Sequence, residues 1–216
     1  AGSEPVDETV PVKTGLSMIA SVAKSKDATA EKDGQAQANI ALVAVTVDDN
    51  GVIDSCVIDE IQAKINFNTA GALTTDIATE FASKGELGED YGMKKASSIG
   101  KEWNEQVAAL AKYAVGKTVD ELKNGAVDET GHAKDADLAT TASIYLGGYV
   151  ACIEAAVNNA QHLGAQSGDV LKLATVNSLG GSKDATAEKA GTAQLDAYIT
   201  AVTMQGDVLT LYLIPL

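Results

Sequence analysis

The sequence contains no arginine, and this absence narrows the range of functions before any motif is read. All 16 basic residues are lysine, against 30 aspartates and glutamates, so the formal net charge is −14. Arginine is the usual bidentate partner of phosphate and guanine, and a strongly negative protein repels polyanions. These features argue against a nucleic-acid partner.

Long apolar runs are missing as well. The 216 residues are 45% hydrophobic, but no run approaches the roughly 20 apolar residues of a membrane-spanning helix. We therefore predict a protein that does not span a membrane, with residues 13–216 forming one domain. Residues 1–12 are acidic and contain proline, which is typical of a flexible tether. Such a tether suggests a bacterial protein exported to the cell envelope or the extracellular space, where a lipid anchor upstream could hold it.

Cysteine and histidine are scarce, with two residues of each type: Cys56, Cys152, His132 and His162. Their spacing indicates neither a zinc site nor a disulfide framework. Both cysteines lie in apolar runs, which favours free buried thiols; one long-range disulfide is the alternative in an oxidising compartment. No nucleophile, base and orienting group can be combined into a catalytic set, so a non-catalytic protein is favoured over an enzyme such as a hydrolase.

The strongest positive signal is an internal repeat. The octapeptide SKDATAEK at Ser25–Lys32 recurs unchanged at Ser182–Lys189, 157 residues later. Duplication without divergence explains the identity of these polar loops, and a pair of twofold-related binding edges is the alternative. The second explanation implies an interaction or scaffold protein with a cell-surface protein as partner. The acidic residues lack the spacing of a calcium loop, so no metal site is predicted.

Residues rich in β-formers surround each copy of the octapeptide and predict two three-stranded antiparallel meanders. The predicted strands cover residues 16–23, 40–47, 52–58, 171–176, 195–204 and 208–213. A lone meander cannot cover its apolar face, so we expect the two to pack together in a single α+β domain. Its parts are a first β-repeat (13–67), a mainly helical insert (68–168) and a second β-repeat (169–216).

Apolar spacing within the insert predicts further elements. The predicted helices cover residues 72–85, residues 101–115, a short stretch that starts at Val119, and residues 149–164. Alternating residues predict strands over 61–67 and 138–146. The glycine-rich residues 86–100 are predicted to form an ordered loop.

Three segments of the sequence resemble the bacterial FMN-binding domain. They are VTVDDNGVIDSCVID (45–59), DYGMKKASSIGKEW (90–103) and DADLATTAS (135–143), and the last precedes an alanine-rich helix. The resemblance extends over about residues 36–163. In that family, found in cell-envelope electron carriers and secreted flavoproteins, FMN is often esterified through its phosphate to the threonine of an Asp-x-x-Ser-Gly-Ala-Thr motif. The resemblance therefore implies a flavin-dependent electron carrier.

The family motif assigns candidate attachment residues to this chain. Asp137 matches the aspartate and Thr140 takes the place of the serine, whereas Thr141 replaces the glycine and Ser143 replaces the acceptor threonine. An alignment made from the following helix instead puts Leu146 at the acceptor position, where no ester could form.

Other residues of the resembling segments could hold the rest of a flavin. Tyr91, Met93 and Trp103 would provide an apolar slot for the isoalloxazine ring. Lys94 and a helix start near Ser98 would meet the phosphate. The alternative to FMN is an interaction or scaffold protein of the same descent that binds no flavin.

Overall fold

The structure is a computed structural model that describes residues 10–212. Within this range the chain forms five α-helices and two antiparallel sheets of four and three strands, which confirms the predicted α+β class. In chain order the elements are β1 (Pro11–Ser21), β2 (Gly34–Val47), β3 (Ile53–Phe67), α1 (Lys84–Leu87), α2 (Trp103–Ala114), α3 (Val119–Ala126), α4 (Ala136–Thr141), α5 (Gly147–Asn158), β4 (Gln161–Gln166), β5 (Val170–Ser178), β6 (Asp196–Gln205) and β7 (Val208–Tyr212). A short 3₁₀ helix, Gly88–Tyr91, follows α1.

The four-stranded sheet has the order β3-β2-β1-β4 and is buried on both faces at its centre. Val43 and Val45 of β2 contribute to the core beneath the helices, whereas Leu42 and Ala44 contribute to the core beneath the second sheet. A strand buried on both faces reads as a continuous apolar run rather than an alternating one. This explains the uninterrupted hydrophobic character of residues 40–45.

The three-stranded sheet, β5-β6-β7, packs on the face of the first sheet that lies opposite the helices. Leu171 of β5 and Ile199 of β6 meet Leu42 and Ile61 in a small apolar cluster. The molecule thus has three layers: helices, a central sheet and a second sheet.

The helices cover the other face of the central sheet and form the larger core. Leu110 of α2 and Ile153 of α5 are fully buried there. Gly15 of β1 allows α5 to approach closely, because a Cβ atom at that position would lie 1.9 Å from the carbonyl oxygen of Ala156. The predicted helices at 101–115 and from Val119 correspond to α2 and α3.

The predicted strand at 138–146 is wrong, because residues Ala136–Thr141 form helix α4. The Asp135 carboxylate caps this helix by accepting from the backbone N–H groups of Asp137 and Leu138, at 3.0 and 2.9 Å. Leu138, Ala142 and Leu146 are the buried residues of the segment. Only Leu138 of these lies within α4, which ends at Thr141, so the alternation of residues 138–146 reflects neither a strand nor a continuous helix.

The predicted helix at 72–85 is also wrong. The segment is irregular and follows the edge of β3, to which it is bridged at Leu73 and Ser83. Ile77, expected on a buried helical face, is exposed. β-branched residues are frequent here and lower helix propensity, and the backbone finds its hydrogen bonds on neighbouring strands instead.

Two further predictions need correction. Residues 52–58 and 61–67 form one continuous strand, β3, rather than two. The last helix is α5, which starts at Gly147 instead of Tyr149 and ends at Asn158. Residues 161–164, expected at the end of this helix, belong instead to strand β4, which pairs with β1 and was not predicted.

Residues 1–9 of the predicted tether lie outside the described residues, and Pro11 and Val12 already belong to β1. Among residues 10–212, no helix is long and apolar enough to cross a membrane. Cys56 and Cys152 are both free thiols. Burial raises the pKa of Cys56 to about 12, with a smaller contribution from Cys152.

Candidate functional site

A cleft of about 350 Å³ opens between the central sheet and the helical layer. On the helix-facing side of β2, the large buried Val43 is followed towards the start of the strand by the smaller Ala41 and the polar Asn39, and the cleft lies over these two residues. The lining residues are Ile19, Ser21, Asn39, Ala41, Glu60, Lys84, Met93, Trp103, Ile144, Tyr145, Gly148 and Tyr149. Most of the wall is apolar, and a few polar groups converge on the base, which is the usual composition of a small-molecule site.

A buried ion pair forms the base of the cleft. The Lys84 ammonium lies 2.8 Å from the Glu60 carboxylate, and the two side chains are only 7% and 8% exposed. Asp59, the neighbour of Glu60 on β3, accepts hydrogen bonds from the Ser83 hydroxyl at 2.6 Å and the Gly85 N–H at 2.8 Å. These bonds fix the start of helix α1 against β3 and so place Lys84 over Glu60.

Three more side chains complete the network. Tyr149 of α5 donates its hydroxyl proton to Glu60, and Asn39 of β2 donates to the same carboxylate at 2.8 Å. The Trp103 indole N–H donates to the Tyr149 oxygen at 3.1 Å. Burial, and then the nearby Glu60 charge, raise the pKa of Tyr149, so this phenol stays protonated and remains a donor.

The Lys84 ammonium also lies over two aromatic rings. Its nitrogen is 4.8 Å from the ring centre of Tyr91 and 5.2 Å from that of Trp103. Cation–π contacts of this kind stabilise a desolvated ammonium. The charge of Lys84 is thereby balanced by Glu60 and by both rings.

Two buried side chains hold the loop beside the cleft. Glu102 accepts from the backbone N–H groups of Met93 and Lys94 at 2.8 and 2.9 Å. The Gln106 carboxamide accepts from the Ser143 N–H at 2.8 Å and donates to the Lys101 carbonyl at 3.1 Å. Gln106 therefore joins the loop around Met93 to the segment that carries Ser143.

The structure brings some of the predicted site residues together. Met93 and Trp103 line the cleft. Tyr91 is not a lining residue, but its ring contacts the ammonium of Lys84, which is one. Ser143 precedes the lining residue Ile144, and its hydroxyl lies 3.3 Å from the Gln106 carboxamide oxygen.

The other predicted residues lie apart from the cleft. Lys94 and Ser98 have exposed side chains. Asp137, Thr140 and Thr141 belong to α4, where Asp137 is exposed. The two threonine hydroxyls donate to carbonyl oxygens of the same helix.

Sequence reasoning missed four residues of the network: Asn39, Glu60, Lys84 and Tyr149. Only Glu60 carried a usable signal, because it occupies the helix-facing side of β3 in line with the apolar residues Cys56 and Ile58. A charged residue on the buried face of a strand requires a partner.

Tyr145 provides an aromatic wall at the rim of the cleft. Its side chain is 57% exposed, and its ring meets that of His132 edge-on at 6.1 Å between centroids. Unlike Trp103, which is buried beneath Lys84, Tyr145 leaves much of its side chain exposed to a ligand.

The cleft fits the ring of a flavin better than its phosphate. Its volume lies within the range of small-molecule pockets, and Tyr145, Ile144 and Met93 provide apolar contacts for a flat ring. Lys84 is the one cation among the described lining residues, and it is paired with Glu60. A phosphate inside the cleft would therefore meet a carboxylate and no free cation.

Comparisons with protein-family models, curated proteins and solved structures found no significant match. The resemblance to the FMN-binding domain therefore stays a prediction. Among the described residues, no group of three or more histidine, cysteine, aspartate or glutamate side chains could hold a metal ion.

Proposed function

We propose that the protein is a non-catalytic binding module whose cleft accepts a flat heteroaromatic ring. The observation that carries this proposal is the buried Glu60–Lys84 ion pair at the base of an apolar cleft. Burying two charges is costly even when they are paired, and apolar residues of similar size would often be more stabilising. Charged groups buried at the base of a cleft are therefore typical of a ligand site.

Each lining group has a distinct role in this proposal. Tyr145 and Met93 contact the ring, and Lys84 donates to an acceptor atom on it through an N–H that Glu60 does not use. Tyr149 and Asn39 hold the Glu60 carboxylate in place by donating hydrogen bonds to it. The resemblance to FMN-binding domains favours a flavin as the ligand, and a bound flavin would supply electron-transfer chemistry.

Titration of the full chain with riboflavin and with FMN tests this proposal. We expect both to bind with quenching of flavin fluorescence, and riboflavin to bind at least as tightly because the cleft has no free cation for the phosphate. Tyr145→Ala should weaken binding about threefold to tenfold through lost aromatic contact. Tyr198→Ala, which removes an exposed tyrosine on the other sheet, should leave binding unchanged.

Lack of saturable binding of either flavin would overturn the proposal. So would equal effects of the two tyrosine variants. Binding of FMN alone would place the phosphate at the centre of recognition and contradict the role given to the cleft.

We also propose that the protein acts outside the cytoplasm, at the bacterial cell envelope or beyond. The composition of residues 1–9, which are acidic and contain a proline, is typical of a tether and supports this location. Separation of a culture of the source bacterium into medium, cell envelope and cytoplasm, followed by immunoblotting, tests it: we expect the protein in the medium or the envelope fraction, and recovery in the cytoplasm alone would contradict the proposal.

We further infer that the first β-repeat (13–67) and the described part of the second (169–212) are duplicated three-stranded units. In both, consecutive strands pair antiparallel: β1 with β2 and β2 with β3 in the first, and β5 with β6 and β6 with β7 in the second. An antiparallel bridge closes each octapeptide loop at equivalent places, Lys26 with Gln35 and Lys183 with Thr192. The shared 157-residue offset supports one ancestral unit.

A further inference from the structure

The octapeptides lie in two loops with the same conformation. The first loop is residues 22–33, between β1 and β2, and the second loop is residues 179–190, between β5 and β6. The equivalent hydrogen bonds are Gln37 N to Ser25 Oγ (3.0 Å) and Gln194 N to Ser182 Oγ (3.0 Å), and Thr29 N to Lys32 O (2.8 Å) and Thr186 N to Lys189 O (2.8 Å). Because the two octapeptides agree in sequence and conformation, a difference in what they bind must come from the residues around them.

The second loop forms two hydrogen bonds to the backbone of a segment that is distant in sequence. The Ala185 N–H donates to the Gly71 carbonyl at 2.9 Å, and the Asp184 carboxylate accepts from the Leu73 N–H at 2.5 Å. One donor and one acceptor of the loop thus hold a carbonyl and an N–H that lie two residues apart. Both hydrogen bonds are to the backbone, so they do not depend on side chains of the bound segment. Position 71 nevertheless requires glycine, because φ is +79° and a Cβ atom there would lie 2.7 Å from the Ala185 Cβ.

The same segment continues over the apolar surface next to the second loop. The Asn177 carboxamide of β5 accepts from the Phe81 N–H at 2.9 Å and donates to the Phe81 carbonyl at 2.7 Å. Leu179, at the start of the second loop, is 0% exposed. Residues 71–81 therefore run from the loop to the end of β5.

The first loop makes no such contacts within the part of the chain that the structure describes. Asp27 and Ala28 correspond to Asp184 and Ala185, but neither the Asp27 carboxylate nor the Ala28 N–H has a hydrogen-bond partner among residues 10–212. Val22, the counterpart of the fully buried Leu179, is 67% exposed. Met18, on the same face of β1, is exposed as well.

An open cavity of about 390 Å³ lies beside the unused groups. Residues 25–28 and 34–36 form one side, and Phe67, Gly71 and Gly191 contribute to the other. Its volume is within the range of sites that bind ligands in proteins. Asp27 and Ala28 thus face space rather than packed protein.

We propose that the first loop is a docking site for a backbone segment of a partner protein, bound as the second loop binds residues 71–73. The Ala28 N–H would donate to a carbonyl of the partner, and the Asp27 carboxylate would accept from the N–H two residues later. The first partner residue must be glycine, for the steric reason found at Gly71. Apolar side chains further along the partner would cover Val22 and Met18.

A separate protein is a better occupant than a second copy of this chain. In every copy the matching segment, residues 71–73, is already held by the second loop of the same molecule. This proposal concerns a surface apart from the Glu60–Lys84 cleft and does not depend on the ligand of that cleft.

A synthetic peptide with the sequence of residues 68–82, NTAGALTTDIATEFA, provides a probe. Fluorescence anisotropy of the labelled peptide with the full chain should show saturable binding. Asp27→Ala should weaken binding at least about tenfold, because it removes a charge-assisted hydrogen bond. The matched control, Asp184→Ala, should lower the urea midpoint of unfolding but leave peptide affinity unchanged. A peptide with valine in place of the glycine should not bind.

Several results would overturn the proposal. One is an absence of binding at peptide concentrations of about 1 mM, the weak end of measurable affinities. Another is equal affinity for the wild type and Asp27→Ala, with unchanged urea unfolding showing that the variant is folded. Loss of binding in Asp184→Ala alone would mean that the peptide displaces residues 71–73. Self-association that Asp27→Ala abolishes, measured by analytical ultracentrifugation, would identify a second copy as the occupant.

Discussion

Replacing Lys84 by methionine should destabilise the protein much more than replacing an exposed lysine whose ammonium lies equally close to a carboxylate. Lys84→Met leaves the Glu60 carboxylate, 8% exposed, with only the neutral donors Asn39 and Tyr149. Removing one partner of a buried pair costs about 3–5 kcal/mol, because the remaining charge is uncompensated. We therefore expect the free energy of unfolding to fall by about 3 kcal/mol or more.

The matched control is Lys123→Met. The Lys123–Glu154 pair has the same 2.8 Å distance, but its side chains are 48% and 35% exposed. Exposed pairs contribute about 0–1 kcal/mol, since water screens them and the side chains lose entropy. Since the two ion pairs have the same length, a difference between the stability losses of the two variants should come from burial.

The double variant Lys84→Met/Glu60→Gln isolates the pair itself. With the unpaired charge gone, it should be more stable than Lys84→Met, with a coupling free energy of about 2 kcal/mol or more. Urea unfolding followed by tryptophan fluorescence measures these variants and Glu60→Gln, the single variant that completes the cycle, because the ring centre of the single tryptophan, Trp103, lies 5.2 Å from the Lys84 ammonium. Additive effects of the two substitutions, or a Lys84→Met effect no larger than that of Lys123→Met, would refute this account of the cleft.

Three further predictions concern other parts of the fold. Gly15→Ala should lower the free energy of unfolding by more than about 2 kcal/mol, since its Cβ would meet a backbone carbonyl of α5; Gly180→Ala, whose Cβ would have room, should cost under about 1 kcal/mol in the same urea titration. Cys56, half-buried and with its pKa raised to about 12, should react with iodoacetamide at pH 8 far more slowly in the native protein than in urea, and equal rates would contradict the raised pKa. The neighbouring Lys13, and then His162, lower the pKa of Asp49 from 3.8, so its contribution to stability is present above that pH and lost as the pH falls through the folded value. Asp49→Asn should reduce the loss of stability in acid, measured by urea midpoints between about pH 5 and pH 2.

The sequence predicted elements best where local pattern and tertiary burial agree. Residues 40–47 are rich in β-branched and apolar side chains, and they lie within β2 in the middle of the molecule. The amphipathic spacing around Trp103 and Leu110 predicted α2 for the same reason. In both cases the buried face coincides with the periodicity of the element.

The failures arise where hydrogen bonds outside the element decide the structure. Residues 72–83 have helical spacing, but contacts from Asp184 and Asn177, more than 90 residues away, hold them in an irregular path. Long-range contacts also explain why only part of the candidate site was predicted. Met93 and Trp103 come from one local motif, whereas Glu60 and Lys84 meet only because Asp59 docks helix α1 on β3.

Mapping of riboflavin binding by ¹H–¹⁵N NMR on the full chain locates the ligand residue by residue, since each amide and the single indole N–H report separately. We expect binding in the cleft, with the largest shifts on the Trp103 indole and on the backbone amides of Lys84, Met93 and Tyr145. No shifts at saturating riboflavin, or shifts confined to residues away from the cleft, would contradict it.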